Sequence, residues 1–381
     1  MTRRLVIQIL ALAILAGAAA PSTVGGGAAG ADSVLEALIE AGHWKRARPL
    51  AERRYQSNPN DAEAAYALSE VKLAFGDLDA SRELAEKAVA LDAKNSNYHF
   101  QLAVTCGRTA EKASLFSKAH WAKRFRVEAE TAVSLDPKNL DARFGLVEFY
   151  LQAPRLMGGG QDKARAMADD IAKIDPVSGF LAQARLAQEE KNWAKETQEW
   201  AKAAAAGPKT YDAMIDVANF YLRPAGGTGK PYDPSTIDPP ANPVQAEKFA
   251  RQAAQLDSGR AAAYAAVARL DALEQRWTDL DSTLAAAEKN VPDNLRPYYR
   301  AAEALLAENK DLGRAERYFR KYVSQEPEPN SPKLAEAHWQ LGLTLEKEGR
   351  KREAAAEIEA AIRMDPNLDR AKADLKRVNG Q

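Results

Sequence analysis

The residues that invite a chemical reading are few. Gly226-Gly227-Thr228-Gly229-Lys230 suggests a loop that cradles phosphate. The first glycine is at the wrong spacing, Pro231 stands where a Ser or Thr would touch magnesium, and no strand precedes the run. Gly158-Gly159-Gly160 also lacks a strand and is expected to be a turn. The four histidines, His43, His99, His120 and His338, are scattered; none has a partner three or four residues away, the spacing that puts two ligands on one helical face. Cys106, the one cysteine, falls on the inner face of a first helix next to Gly107, lacks an evident activator and is expected to be a buried, inert thiol. There is no Gly-x-Ser-x-Gly elbow, and acidic pairs such as Glu189-Glu190 are expected on solvated helix surface. These patterns assign no catalytic residue, no metal site and no cofactor.

The elements that carry these residues are helical and repeated. Asp- or Asn-containing turns recur at Ser57-Asn58-Pro59-Asn60, Leu91-Asp92-Ala93-Lys94-Asn95, Leu135-Asp136-Pro137-Lys138-Asn139 and Ile174-Asp175-Pro176. Further unit endings follow at Gly207-Pro208, Leu256-Asp257-Ser258, Val291-Pro292-Asp293-Asn294, Glu326-Pro327 and Met364-Asp365-Pro366. Pro59 to Ala93 is 34 residues, Ser258 to Pro292 is 34, and Pro292 to Pro327 is 35. Between these turns lie small residues where two helices must cross closely: Ser69, Ala103, Ala184, Ala218, Ala268, Ala302 and Gly342, with Val147 as the exception. The last unit is the fullest. His338-Trp339-Gln340-Leu341-Gly342 begins it, Gly349 closes its first helix, Ala354 and Ala361 line its second, and Pro366 ends it.

A 34-residue unit with these features resembles the tetratricopeptide repeat. The resemblance covers nearly the whole chain after residue 31. It implies an all-α fold, a right-handed solenoid of about nine helix–turn–helix repeats over 32–366, closed by a capping helix in 367–381. Arg370, Lys372 and Lys376 would give that cap a solvated outer face. Three interruptions, near 108–119, 153–160 and 224–242, are expected between the two helices of a unit. The first has the composition of a lengthened helix. Together they either build a ridge beside a binding face or are tolerated excursions.

The first residues have another purpose. Thr2-Arg3-Arg4 followed by an apolar run from Leu5 to Ala20 has the layout of a secretory signal peptide. Ala29-Gly30-Ala31 before Asp32 is the better cleavage site, so 1–31 is expected to be the signal. The alternative is an uncleaved anchor. The mature chain is expected to be exported, periplasmic or secreted, with no integral membrane segment.

The chain has 381 residues, 46% hydrophobic and 28% charged, which is globular composition. Lys plus Arg total 53 and Asp plus Glu total 53, so bulk positive charge cannot hold nucleic acid. The tetratricopeptide resemblance implies that first helices line a concave face. On that register Tyr66, Phe100, Phe144, Tyr299 and Trp339 fall at the inner position, with Glu148, Arg185, Asn219 and Arg269 one turn on. Large apolar groups flanked by charges suit a peptide groove, or else they pack between repeats. Arg185, Arg223 and Arg269 are the candidates for acidic neighbours. Repeats that grip a C-terminal carboxylate use a Lys and Asn pair at these positions, and Tyr66 with Glu70 or Phe100 with Val104 stand there instead. The expectation is a non-catalytic protein-interaction scaffold of the cell envelope that takes an unidentified protein or peptide. The alternative is an envelope enzyme or glycan-binding protein with a solenoid cleft, which a close carboxylate pair beside a deep pocket would favour.

Overall fold

The computed structural model describes residues 29–223 and 242–380. The region expected to hold the signal segment, 1–28, and nearly all of the third interruption, 224–241, lie outside the described residues. Among the described residues there are helices and no strand. The chain divides into two compact units, one ending at Pro208 and one beginning at Lys209.

The first unit contains α1 (Ala29–Glu40), α2 (Trp44–Ser57), α3 (Ala62–Ala74), α4 (Leu78–Leu91) and α5 (Ser96–Lys112). It continues with α6 (Leu115–Leu135), α7 (Leu140–Gln152), α8 (Gln161–Ile174), α9 (Pro176–Glu189) and α10 (Trp193–Ala205). The second unit contains α11 (Tyr211–Tyr221), α12 (Pro243–Leu256), α13 (Ala261–Leu273), α14 (Trp277–Asn290) and α15 (Arg296–Ala307). It ends with α16 (Leu312–Val323), α17 (Leu334–Lys347), α18 (Lys351–Met364) and α19 (Asp369–Val378). Among the described residues that is nine successive helix pairs and a terminal helix, as the repeat spacing predicts. The lengthened-helix expectation for 108–119 also holds: α5 and α6 run 17 and 21 residues and meet at a short break. The expected cut after Ala31 falls in the first turn of α1.

The recurrent turns have one construction. The side chain of the residue that ends a helix accepts a hydrogen bond from the amide two residues on: Asp92 from Lys94 at 3.0 Å, Asp136 from Lys138 at 2.9 Å, Asp365 from Asn367 at 2.9 Å. Pro137 and Pro366 sit in the middle of such a turn, where their fixed φ is an advantage. The first turn of a helix is where Pro176 and Pro243 stand, after the capping residues Asp175 and Asn242, and where Pro297 stands in α15. Pro59, Pro137 and Pro366 precede it, and in two of these turns a separate residue forms the cap: Asp61 takes the Glu63 amide at 2.9 Å and Asn139 the Ala142 amide at 2.9 Å.

Within each pair the small residues let the axes approach. Ser69 and Ser81 are fully buried, and each hydroxyl donates to the other's backbone carbonyl at 2.8 Å. At Gly342 a Cβ would lie 2.5 Å from Cγ1 of Ile358 and 3.0 Å from the carbonyl oxygen of Ala354. Gly349 closes α17 at φ +82°. The equivalent turns hold Lys191, Gln275 and Asn309 in the same left-handed region, which glycine occupies more easily. The core of the first unit gathers Leu102, Phe125, Leu146, Phe149 and Ile171. That of the second gathers Tyr299, Leu305, Phe319, Leu341 and Ile358.

Odd-numbered helices also touch one another: α3 with α5, α5 with α7 and α7 with α9 in the first unit, α11 with α13, α13 with α15 and α15 with α17 in the second. Even-numbered helices meet chiefly the helices before and after them. The layer whose members converge lies on the inside of the curve, so within each unit the odd helices form the inner layer. The α13–α15 contact is the most extensive of these, because both helices are alanine-rich and small side chains shorten the distance between axes.

Candidate functional site

In the first unit the inner layer carries a stripe of half-buried aromatic side chains, Tyr66 on α3, Phe100 on α5 and Phe144 on α7. Each is anchored in part. The Tyr66 ring lies 5.1 Å from that of the buried Tyr98. Phe100 leans over Gly145, where a Cβ would come within 2.9 Å of it. Phe100 and Phe144 both pack against the Leu102–Leu146 core, leaving part of each ring facing outward.

The charged positions next to this stripe are arranged differently from one another. Glu148 on α7 is buried, and Arg185 on α9 grips both its oxygens, Nε to Oε1 at 2.5 Å and Nη2 to Oε2 at 2.9 Å. Gln152 adds a third hydrogen bond at 3.0 Å and Arg185 also reaches Glu189 at 3.2 Å. Burial disfavours the guanidinium charge, but Glu148 outweighs it and holds the Arg185 pKa above its ordinary value. Glu148 and Arg185 are therefore each other's partners, which corrects the expectation that Arg185 offers its charge to an acidic ligand. Glu70, one turn beyond Tyr66, shares a hydrogen bond with that hydroxyl. Burial pushes its carboxyl up to about 8, against the Tyr66 hydrogen bond and with help from the negative charge of Asp141. Burial likewise holds the Tyr66 hydroxyl well above its usual value.

In the second unit two of the expected groove residues belong to the core. Tyr299 is 2% exposed, its ring edge-on to Phe319 at 5.6 Å and tilted against Tyr322 at 5.0 Å. Trp339 is 6% exposed and its indole N–H donates to Asp374 of α19 at 2.9 Å. Neither is a groove anchor. The reason is local: the phenyl and phenol groups of α16 and the capping helix α19 cover the same faces, and a large ring prefers that contact to water. Asn219 is exposed on α11, and Arg269 is half-buried on α13.

Sequence reasoning passed over several groups here. Arg260 forms a two-point pair with Asp212, one bond at 3.1 Å, and its guanidinium lies 4.0 Å over the Tyr211 ring. Asp216 on α11 is raised to about 7, by burial first and by Asp212 second, with Arg223 opposing. Arg296 opens α15 among Arg300, Tyr211 and Tyr322; burial, then the like charge of Arg300, lowers its pKa to about 10. A sequence signal for Arg296 and Arg269 existed. Neither has an acidic residue three or four positions away on its own helix, where Arg300 has Glu303.

No helix among the described residues is long and apolar enough to cross a membrane. Cys106 is fully buried, and burial pushes its thiol up to about 12. A cavity of about 530 Å³ in the second unit is lined by residues including Glu326, Lys333 and Asp365. Neither Glu70 nor Asp141 contributes to it.

Two stretches of the chain, 38–103 and 335–368, match family profiles described as tetratricopeptide repeat. No curated protein matches the chain. Among solved structures, a thermophilic TPR protein of Thermus thermophilus is 20% identical, over 51% of this chain and 98% of that one, with a TM-score of 0.44. Yeast Tom70 is 13% identical over 92% and 88%, at a TM-score of 0.45. Pseudomonas aeruginosa pilF is 15% identical over 62% and 94%, at a TM-score of 0.37.

Proposed function

The chain is a tetratricopeptide-repeat protein, and from that premise we propose that it is a non-catalytic protein-interaction scaffold that docks a polypeptide on the inner layer of its repeats. The observation that carries this reading is the stripe of Tyr66, Phe100 and Phe144. Three aromatic rings on successive inner helices are held from behind by the core and left partly open in front. Rings fixed in this way supply contact area with little further loss of side-chain freedom, which is what a binding anchor requires. An exported setting belongs to the same proposal and rests on the basic and apolar residues 2–20.

The test is capture from an envelope extract by the full chain, compared with a Phe100→Ala/Phe144→Ala variant whose helicity is verified by circular dichroism. A defined partner recovered near stoichiometry by the parent chain and lost by the variant is the expected result. Equal recovery by both would remove the stripe from the argument.

A second reading has one observation in its favour. Burial raises the Glu70 carboxyl to about 8, with Asp141 adding to the shift, and a carboxylic acid protonated near neutral pH is one half of the equipment of glycoside hydrolysis. Turnover of envelope polysaccharide that disappears in Glu70→Gln would establish this reading in place of the first.

A further inference from the structure

The second unit holds two guanidinium groups that the fold leaves without a hydrogen-bond or ion-pair partner among the described residues; Glu303, engaged by Arg300, is the acid nearest to them in register. Arg269 on α13 and Arg296 on α15 make no side-chain hydrogen bond and no ion pair among the described residues, and the Nε of each is buried without a partner. The contrast with their neighbours is sharp. Arg260 is held by Asp212, Arg276 by Asp271, Arg300 by Glu303 and Arg314 by Asp281. A guanidinium nitrogen withdrawn from water and left without an acceptor is costly, and two of them on adjoining inner helices leave hydrogen-bonding capacity for an acceptor from outside the chain.

We propose that the inner face of α13 and α15 binds an acidic polypeptide segment, whose carboxylates are taken by Arg269 and Arg296. The proposal rests on the scaffold reading above and names the chemistry of the partner at this face. The 34-residue register puts Arg269 level with Glu303, so Arg296 lies seven residues lower along α15, about 10 Å along the axis. An extended strand covers that distance in about three residues. The planar fork of arginine matches a carboxylate with two parallel hydrogen bonds. A nucleic-acid strand would need a longer run of unpaired cations than this face offers.

The probe is a short fluorescent peptide of alternating Glu and Leu, blocked at both ends, with a counterpart carrying Gln for Glu. Anisotropy is measured with the full chain and with Arg269→Gln and Arg296→Gln. The acidic peptide is expected to bind, and each substitution is expected to weaken it about tenfold or more, as loss of a charged hydrogen bond does. Unfolding midpoints should hold or rise, because an uncompensated charge has been removed; Arg296→Glu should abolish binding of the acidic peptide. Affinity unchanged in both Gln variants, or displacement of the peptide by inorganic phosphate alone, overturns the proposal. Binding of the Gln peptide equal to that of the Glu peptide leaves the scaffold reading standing and removes the acidic assignment. Failure of both peptides, with helicity intact, counts against both.

Discussion

Arg185 and Glu148 meet across the α7–α9 boundary in a two-point ion pair, with the carboxylate 4% exposed. Two inner helices of successive repeats, which already share an apolar core, are thereby joined by charge as well. Removing one partner strands the other. Arg185→Ala should destabilise the first unit by about 3 kcal/mol, because a buried carboxylate is left with only Gln152. Glu148→Gln combined with Arg185→Gln should recover most of the loss. Urea unfolding of the single and double variants reads both values, and a double variant no better than Arg185→Ala would refute the account.

The α17–α18 crossing should be the most size-sensitive position of the second unit. Gly342→Ala places a methyl 2.5 Å from Ile358, and the backbone carbonyl of Ala354 blocks retreat on the other side. A loss of about 1–3 kcal/mol is expected, as for other overpacked cores. Combined with Ile358→Ala, which removes the Cγ1 that the methyl meets, the double variant should lose less in thermal melts than the two single losses added together.

At the turn after α13 the opposite change should help. Gln275 has φ +57°, a conformation that costs a residue with a Cβ about 1 kcal/mol. Gln275→Gly should raise the unfolding midpoint, and a lower midpoint would show that the Gln275 side chain does something there that the geometry does not reveal.

Glu70 sets a pH dependence with a definite sign. Its folded pKa, about 8, lies above the 4.5 of an ordinary glutamate. Between those values the unfolded chain has released the proton and the folded chain has kept it. Its contribution to stability is therefore full below about pH 4.5 and is lost as pH rises towards 8. Asp216 in the second unit, raised to about 7, acts in the same direction. Glu70→Gln should flatten the decline in unfolding midpoint between about pH 5 and pH 8 relative to the parent chain. Identical slopes would place Glu70 in contact with water.

Cys106 should be silent towards a thiol reagent in the native chain and react only on unfolding, since burial both excludes the reagent and keeps the thiol protonated at neutral pH.

Much of the architecture was legible in the residues themselves. Small side chains at crossing points, Asp and Asn at turns and the 34-residue spacing are local requirements of two packed helices, so each repeat announces itself without its neighbours. The nine helix pairs, the lengthened α5 and α6 and the capping α19 follow from that. Which inner-face side chains remain available was decided only by the tertiary structure. Tyr299 and Trp339 occupy the same register as Tyr66 and Phe144, yet Phe319 and Tyr322 bury the first and Asp374 of α19 engages the second. Arg185 and Arg269 are likewise equivalent by position. One is neutralised by Glu148, 37 residues away in the chain, and the other has Asn219 at the equivalent position of the preceding repeat. Register tells which way a side chain points, because that depends on its own helix. Whether it meets a partner there depends on residues from other repeats, and only the packing of the helices brings those into reach.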